Sequence, residues 1–245
     1  MQHAVITGGG SGIGLAIAES LYEKGYELSL IGRDMEKLVA ARKQMPKVRI
    51  AQCDITDDMQ VSQAFNALPP VSILINNAGA VETAAFQKFS KEQWQDALDV
   101  NLLGAVSCIN ACLDQIKTDA SGRIINIAST ASLKGYAYVA PYVAAKHALL
   151  GMTRALALEL AKTPVTVNAI CPGYSKTAII DRAVDEIAAK TGRGKDKALA
   201  HFEKNNPQGR LIDPDEIAST VLWLISDATR SITGQAIVIA GGEIM

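Results

Sequence analysis

Seven short apolar runs punctuate the chain, at 4–7, 28–31, 48–52, 72–75, 123–128, 166–170 and 235–239. Most are continuously apolar rather than alternating, the pattern of strands covered by helices on both faces. Between them, apolar positions recur at helical spacing over 13–24, 35–44, 59–68, 91–117, 141–162 and 214–226. Strand and helix alternating from end to end predict an α/β fold, a doubly wound parallel sheet flanked by helices with right-handed crossovers. No proline-, glycine- or serine-rich linker breaks the pattern, so residues 1–245 are expected to form a single domain. The rhythm changes once, over 174–208, where helices and loop are expected outside the sheet as a cover for a ligand.

Composition removes alternatives. The chain has 24 Lys plus Arg against 25 Asp plus Glu, a net charge of −1. That balance gives no electrostatic reason for a nucleic-acid or membrane partner. No apolar run approaches about 18 residues, so no bilayer-spanning segment is expected. Met1, Gln2 and His3 lead straight into the first strand, without a signal peptide. Cys53, Cys108, Cys112 and Cys171 include no CxxC pair, and His3, His147 and His201 are scattered. Cys108 and Cys112 lie one helical turn apart, a spacing that a metal can use, but small buried thiols are the simpler reading. No metal is expected, and the cytoplasm is the expected address.

Candidate chemistry begins after the first strand, with Thr7, Gly8, Gly9, Gly10, Ser11, Gly12, Ile13 and Gly14 leading into a helix. A glycine-rich turn lets the backbone approach a pyrophosphate, and the helix start supplies free N–H groups and the positive end of its dipole. Tyr142 and Lys146 are four apart on one predicted helix and share a face. A lysine ammonium near 4 Å would favour a phenolate by about 4 kcal/mol at an effective dielectric near 20. The phenol would then be expected to fall into a working range for proton exchange. His147 projects away from that face and is expected to pack.

The glycine spacing Gly8-x-x-x-Gly12-x-Gly14, with its preceding threonine, resembles the short-chain dehydrogenase/reductase family. Further matches follow in order: Asn76-Asn77-Ala78-Gly79, Asn101, Ser129, Tyr142 with Lys146, Pro172-Gly173, and Thr177. The resemblance spans essentially the whole chain. It implies a Rossmann-type, seven-stranded sheet, bound NAD or NADP, and interconversion of a ketone and a secondary alcohol by hydride transfer. It implies cofactor contacts from Thr7, Gly8, Gly10, Ser11, Gly12, Ile13 and Gly14, and from Asp54 and Ile55 near the adenine. Asn77, Ala78, Gly79, Tyr142, Lys146, Pro172, Gly173 and Thr177 would complete them. Tyr142 would be the acid/base, Ser129 would hold the substrate oxygen, and Asn101 would join a water-linked proton relay. Two positions depart from the family: Ala128 stands for a second serine, and Ala240 for an aspartate.

The second strand ends Ile31-Gly32-Arg33-Asp34. Glycine occupies the usual acidic place, and the Arg33 guanidinium suits a 2′-phosphate, favouring NADP. Asp34 is expected to cap the next helix; turned inward, it would serve NAD instead. Asp54 is read both as an adenine contact and as a helix cap.

The nearly apolar segment 143–161 needs cover on two faces. A homo-oligomer is expected to use it together with the helix after Asn101, and the resemblance implies a homotetramer. Lys190, Arg193, Lys195, Lys197 and Lys204 outnumber Asp196 and Glu203 in the covering segment. That patch either attracts the phosphates of a CoA- or carrier-protein-linked substrate or is simply solvated. The pattern is similar to 3-oxoacyl-thioester reductases and hydroxyacyl-CoA dehydrogenases, while alcohol, sugar and steroid dehydrogenases share the motifs. A non-catalytic regulator would be expected to have lost Ser129, Tyr142 or Lys146, and an extended sugar-nucleotide epimerase would be longer.

Overall fold

The computed structural model describes residues 2–191 and 194–244. Its strands are β1 (His3–Thr7), β2 (Glu27–Gly32), β3 (Arg49–Gln52), β4 (Ile73–Asn76), β5 (Arg123–Ile127), β6 (Thr166–Pro172) and β7 (Ala236–Ile239). They form one seven-stranded sheet in the order β3-β2-β1-β4-β5-β6-β7, every pair parallel. This is the doubly wound parallel sheet expected from the alternation and the Rossmann-type, seven-stranded sheet that the family resemblance implies.

The helices are α1 (Gly12–Glu23), α2 (Met35–Gln44), α3 (Asp58–Asn66), α4 (Lys91–Leu98), α5 (Gly104–Thr118), α6 (Ala140–Glu159), α7 (Ala178–Thr191), α8 (Lys195–Glu203) and α9 (Pro214–Ile225). Strand residues feed two cores in turn, because successive side chains leave opposite faces. Ala4 and Ile6 of β1 pack with Ile17 and Leu21 of α1 and with Val221 of α9. Val5 faces the other way, into a core with Phe65 of α3 and Cys108, Cys112 and Ile116 of α5. Burial on both sides is why the strands carry no polar alternation.

Local chemistry sets the helix starts. Asp34 accepts a hydrogen bond from the Lys37 amide and caps α2, as expected. Reciprocal capping boxes open α4 (Ser90 with Gln93) and α9 (Asp213 with Glu216). At α3 the cap is Asp57, which accepts from Met59 and Gln60 amides, and not Asp54. Asp54 instead turns back on the Thr56 amide and hydroxyl.

Two further expectations need correction. The helix predicted over 91–117 is interrupted by a π-helical turn, Asp99–Leu103, which adds a residue to the spiral and aims Asn101 inward. In addition, the helical stretch Lys91–Thr118 is long and apolar enough, by length and composition, to cross a membrane. Its apolar side is the face that α5 packs onto the sheet. The segment 174–208 contributes α7 and α8, which share a small core of their own around Ile180, Val184, Ala198 and Phe202.

Candidate active site

The sheet reverses its winding between β1 and β4, and a crevice opens beyond their carboxyl ends. Thr7, at the end of β1, is buried and ties the two sides together. Its hydroxyl accepts from the amides of Asn77 and Ala78, both at 3.0 Å. The Asn77 side-chain amide returns to the Thr7 and Gly8 carbonyls at 3.0 and 3.3 Å. Gly8 and Gly12 have φ of +66° and +54°, a region in which side chains are strained. A Cβ on Gly14 would stand 2.4 Å from the Gly8 carbonyl oxygen, so the turn folds directly over the start of α1. Ser11 holds the cap position of α1, yet its side chain makes no capping bond. The turn therefore presents uncapped helix amides to the crevice, a donor set that fits a pyrophosphate.

The crevice has a volume of about 410 Å³. Of the expected residues, Gly8, Ser11, Gly12 and Ile13 line one part of it; Arg33, Asp54 and Ile55 line the second-strand end. Asn77, Ala78, Gly79, Asn101, Tyr142, Lys146 and Thr177 line the remainder. Thr7, Gly10, Gly14, Ser129, Pro172 and Gly173 are not among the residues that line the crevice. Gly10 gives room to a neighbour, since a Cβ there would stand 3.1 Å from the Lys37 side chain.

At the second-strand end, Arg33 faces Asp54 across 3.7 Å, with its side chain two-thirds exposed. Asp34 is turned away: one oxygen caps α2 and the other lies 3.1 Å from the Lys37 ammonium. The Lys37 amide and ammonium hold the Asp34 carboxyl below its usual range. Lys37 lines the crevice although nothing in the sequence singled it out. Its position on α2, three residues past the cap, follows from helix geometry once the Gly10 contact is known.

At the other end, Tyr142 is half-buried on the first turn of α6, with the Ser129 hydroxyl beside it. Ser129 also accepts from the Ala131 amide at 3.1 Å, which fixes its rotamer. The Lys146 ammonium donates to the Ile127 carbonyl at 2.8 Å and lies 5.7 Å from the centre of the Tyr142 ring. Burial dominates both groups. It raises the Tyr142 phenol, against the lowering effect of Ser129, and brings Lys146 down to about 8. The expected depression of Tyr142 by Lys146 is therefore absent in the protein alone, because desolvation outweighs an ammonium aimed at a carbonyl.

Asn101 is buried, its side chain spent on the backbone: it donates to Ala80 and Ala97 carbonyls, both at 2.9 Å, and accepts from the Ala80 amide. It braces the loop after β4 against the π-helical turn. His147 is exposed, with its ring bonded to the Val143 carbonyl. Among the described residues, no group of three or more His, Cys, Asp or Glu could hold a metal ion.

The order of these parts matches a known family. A model of the short chain dehydrogenases matches residues 2–188. The chain belongs to the short-chain dehydrogenase family. It is 34% identical to a D-beta-hydroxybutyrate dehydrogenase of Cupriavidus necator, over 98% of this chain and 97% of that protein. It is also 34% identical to an acetoacetyl-CoA reductase of Rhizobium meliloti, with the same coverage. A variant of the actinorhodin polyketide ketoreductase crystallised with NADPH superimposes with a TM-score of 0.94, at 32% identity, covering 99% of this chain and 97% of that one. This short-chain dehydrogenase is thus a nicotinamide-dependent oxidoreductase, in which a nicotinamide held in the crevice would supply or take up the hydride.

Beside Tyr142 lies a cluster that the sequence did not reveal. The Glu243 side chain is buried and accepts from the Lys134 ammonium at 2.9 Å and the Tyr136 hydroxyl at 2.5 Å. Its other oxygen has no hydrogen-bond partner among the described residues and would stand 3.0 Å from a Cβ on Gly173. Tyr136 stacks edge-on against Tyr174, and Tyr174 against Phe202 of α8. The C-terminal segment thereby ties the loop after β5 to the base of α7 and α8. Of the basic residues in the covering segment, Arg193 and the side chain of Lys190 lie outside the described residues. Lys195 is paired with Asp185 at 2.5 Å.

Proposed function

We propose that this short-chain dehydrogenase uses NADPH to reduce the 3-oxo group of a 3-oxoacyl thioester to the 3-hydroxyacyl product. The observation that carries the cofactor choice is the second-strand end of the crevice. Two cations, Arg33 and Lys37, line it, and both nearby carboxylates are engaged: Asp34 caps the start of α2, and Asp54 accepts from the Thr56 amide and hydroxyl. The exposed Arg33–Asp54 pair is weak at 3.7 Å and leaves the guanidinium able to meet a 2′-phosphate. The substrate class is supported by the similarity to a reductase of acetoacetyl-CoA and to a polyketide ketoreductase.

In this reading Tyr142 donates a proton from its hydroxyl to the carbonyl oxygen as the hydride reaches the carbon. Ser129 holds that oxygen, and Lys146 holds the nicotinamide ribose and supports the phenolate left behind. Asn101 shapes the route by which Tyr142 is reprotonated. Residues 174–208 act as the lid of a single domain. The α5 and α6 faces form the contacts of a homotetramer, supported by Leu158, 80% exposed on α6, and Leu103, 45% exposed at the start of α5. Four free, buried cysteines are in keeping with a cytoplasmic address.

The test is oxidation of NADPH and NADH, side by side, with a short 3-oxoacyl-CoA, by the wild type and by Arg33→Ala. Turnover with NADPH preferred, and a preference that collapses about tenfold to a hundredfold in Arg33→Ala, supports the reading. Equal loss with both cofactors would give Arg33 a structural role, and no turnover would discard the thioester.

A further inference from the structure

The glycine turn, Thr7 to Gly14, contains no lysine or arginine. A pyrophosphate seated on it brings two negative charges to a site served by backbone dipoles alone. Arg33 and Lys37 stand at the second-strand end, and Lys146 is engaged at the Ile127 carbonyl beside Tyr142. The crevice has one more lining cation, on a different element.

That cation is Arg182 of α7. The residue that precedes α7 stands beside the glycine turn: a Cβ on Gly12 would touch the Thr177 side chain at 3.4 Å. One side of α7 borders the crevice through Ala178 and Ile179 and, one turn further on, Arg182. The opposite face buries Ile180 and Val184 in the small core shared with α8, which fixes the rotation of the helix. The Arg182 Nε donates to the Ala178 carbonyl at 3.2 Å and anchors the side chain at its neck. Its two terminal nitrogens make no hydrogen bond or ion pair among the described residues. An anchored guanidinium whose fork of donors is not engaged among the described residues is suited to bidentate phosphate recognition.

We propose that Arg182 is a phosphate-binding residue, brought by α7 over the glycine turn to neutralise the pyrophosphate of the bound dinucleotide. The inference rests on the nicotinamide-cofactor reading of the crevice, but not on the choice between NADP and NAD. It assigns to the α7–α8 segment a part in holding cofactor as well as covering substrate. Binding of the phosphates and the position of that segment then favour one another.

The test is the dissociation constant of NADPH and of NADH, by fluorescence titration, for the wild type, Arg182→Ala, Arg182→Lys and Arg33→Ala. Arg182→Ala is expected to weaken both dinucleotides by the same factor, about tenfold to a hundredfold, with a shallower salt dependence. Arg182→Lys should recover part of the loss, and Arg33→Ala should weaken NADPH selectively. Arg182 is exposed on a surface helix, and unchanged far-ultraviolet dichroism checks that the variants are folded. Dinucleotide affinities within twofold of wild type in Arg182→Ala would overturn the proposal. It is overturned as well if that variant raises KM only for a CoA thioester and not for its phosphate-free N-acetylcysteamine analogue. In that case the guanidinium serves the substrate's phosphates. Failure of the wild type to bind either dinucleotide would instead refute the cofactor reading and the proposal with it.

Discussion

Lys146 is expected to cost stability at neutral pH, and Lys146→Met measures the cost. The ammonium sits in an almost fully buried position, with the Ile127 carbonyl as its acceptor. Desolvation lowers its pKa from 10.5 to about 8. The folded chain therefore releases this proton before the unfolded chain does. Below pH about 8 both states carry it, and the penalty for burying the charge is present in full. Between about 8 and 10.5 the unfolded chain binds more protons, so stability at this site rises with pH. The separation corresponds to about 3 kcal/mol. Methionine cannot titrate and fills a similar volume, so it lacks this rise, though it leaves the Ile127 carbonyl unpaired at a cost of about 1–3 kcal/mol.

The pH-independent loss cancels when the two proteins are compared across pH. Urea unfolding of wild type and Lys146→Met at pH 7.5 and 10.5 should show their difference in stability moving by about 3 kcal/mol in favour of wild type at the higher pH. A difference constant within about 0.5 kcal/mol would refute the argument, because it would mean that the folded protein solvates the ammonium as well as water does. The penalty would then not be available to explain why Lys146 and Tyr142 resist carrying charge in the protein alone.

Tyr142→Phe should keep cofactor affinity within about twofold and lower turnover by about 10²–10⁴, the usual worth of a general acid; retained turnover overturns the role of the phenol. Thr7→Val preserves shape but strands the amides of Asn77 and Ala78, so urea unfolding should show a loss of at least about 1–3 kcal/mol, and an unchanged midpoint would refute the bracing role. Leu158→Lys changes a residue that the fold leaves exposed, so the subunit should fold as before while light scattering reports a smaller assembly. A monomeric wild type at micromolar concentration would dispose of the α6 interface.

What the sequence disclosed and what it hid divide along one physical line. The strands were legible because β1 and β4 are buried on both faces, which writes their burial into the short apolar runs Ala4-Val5-Ile6 and Ile73-Leu74-Ile75. The phosphate turn was legible because its parts are consecutive, and Tyr142 with Lys146 because a helix repeats in four. The hidden parts are brought together by topology. Lys134 and Glu243 are far apart in the chain and meet only because the last segment passes behind β6, near Gly173. The π-helical turn leaves no apolar signature, since one added residue shifts the spiral without changing its composition. Lys37 and Arg182 looked like ordinary surface cations, and only the approach of Gly10 to α2 and of Gly12 to Thr177 places them at the crevice. Part of the charge at the crevice thus comes from two helices, α2 and α7, that the phosphate turn's own sequence does not contain. Motif residues therefore specify the reaction, while cofactor grip depends on α2 and α7, where substitutions can retune it without touching Tyr142, Ser129 or Lys146.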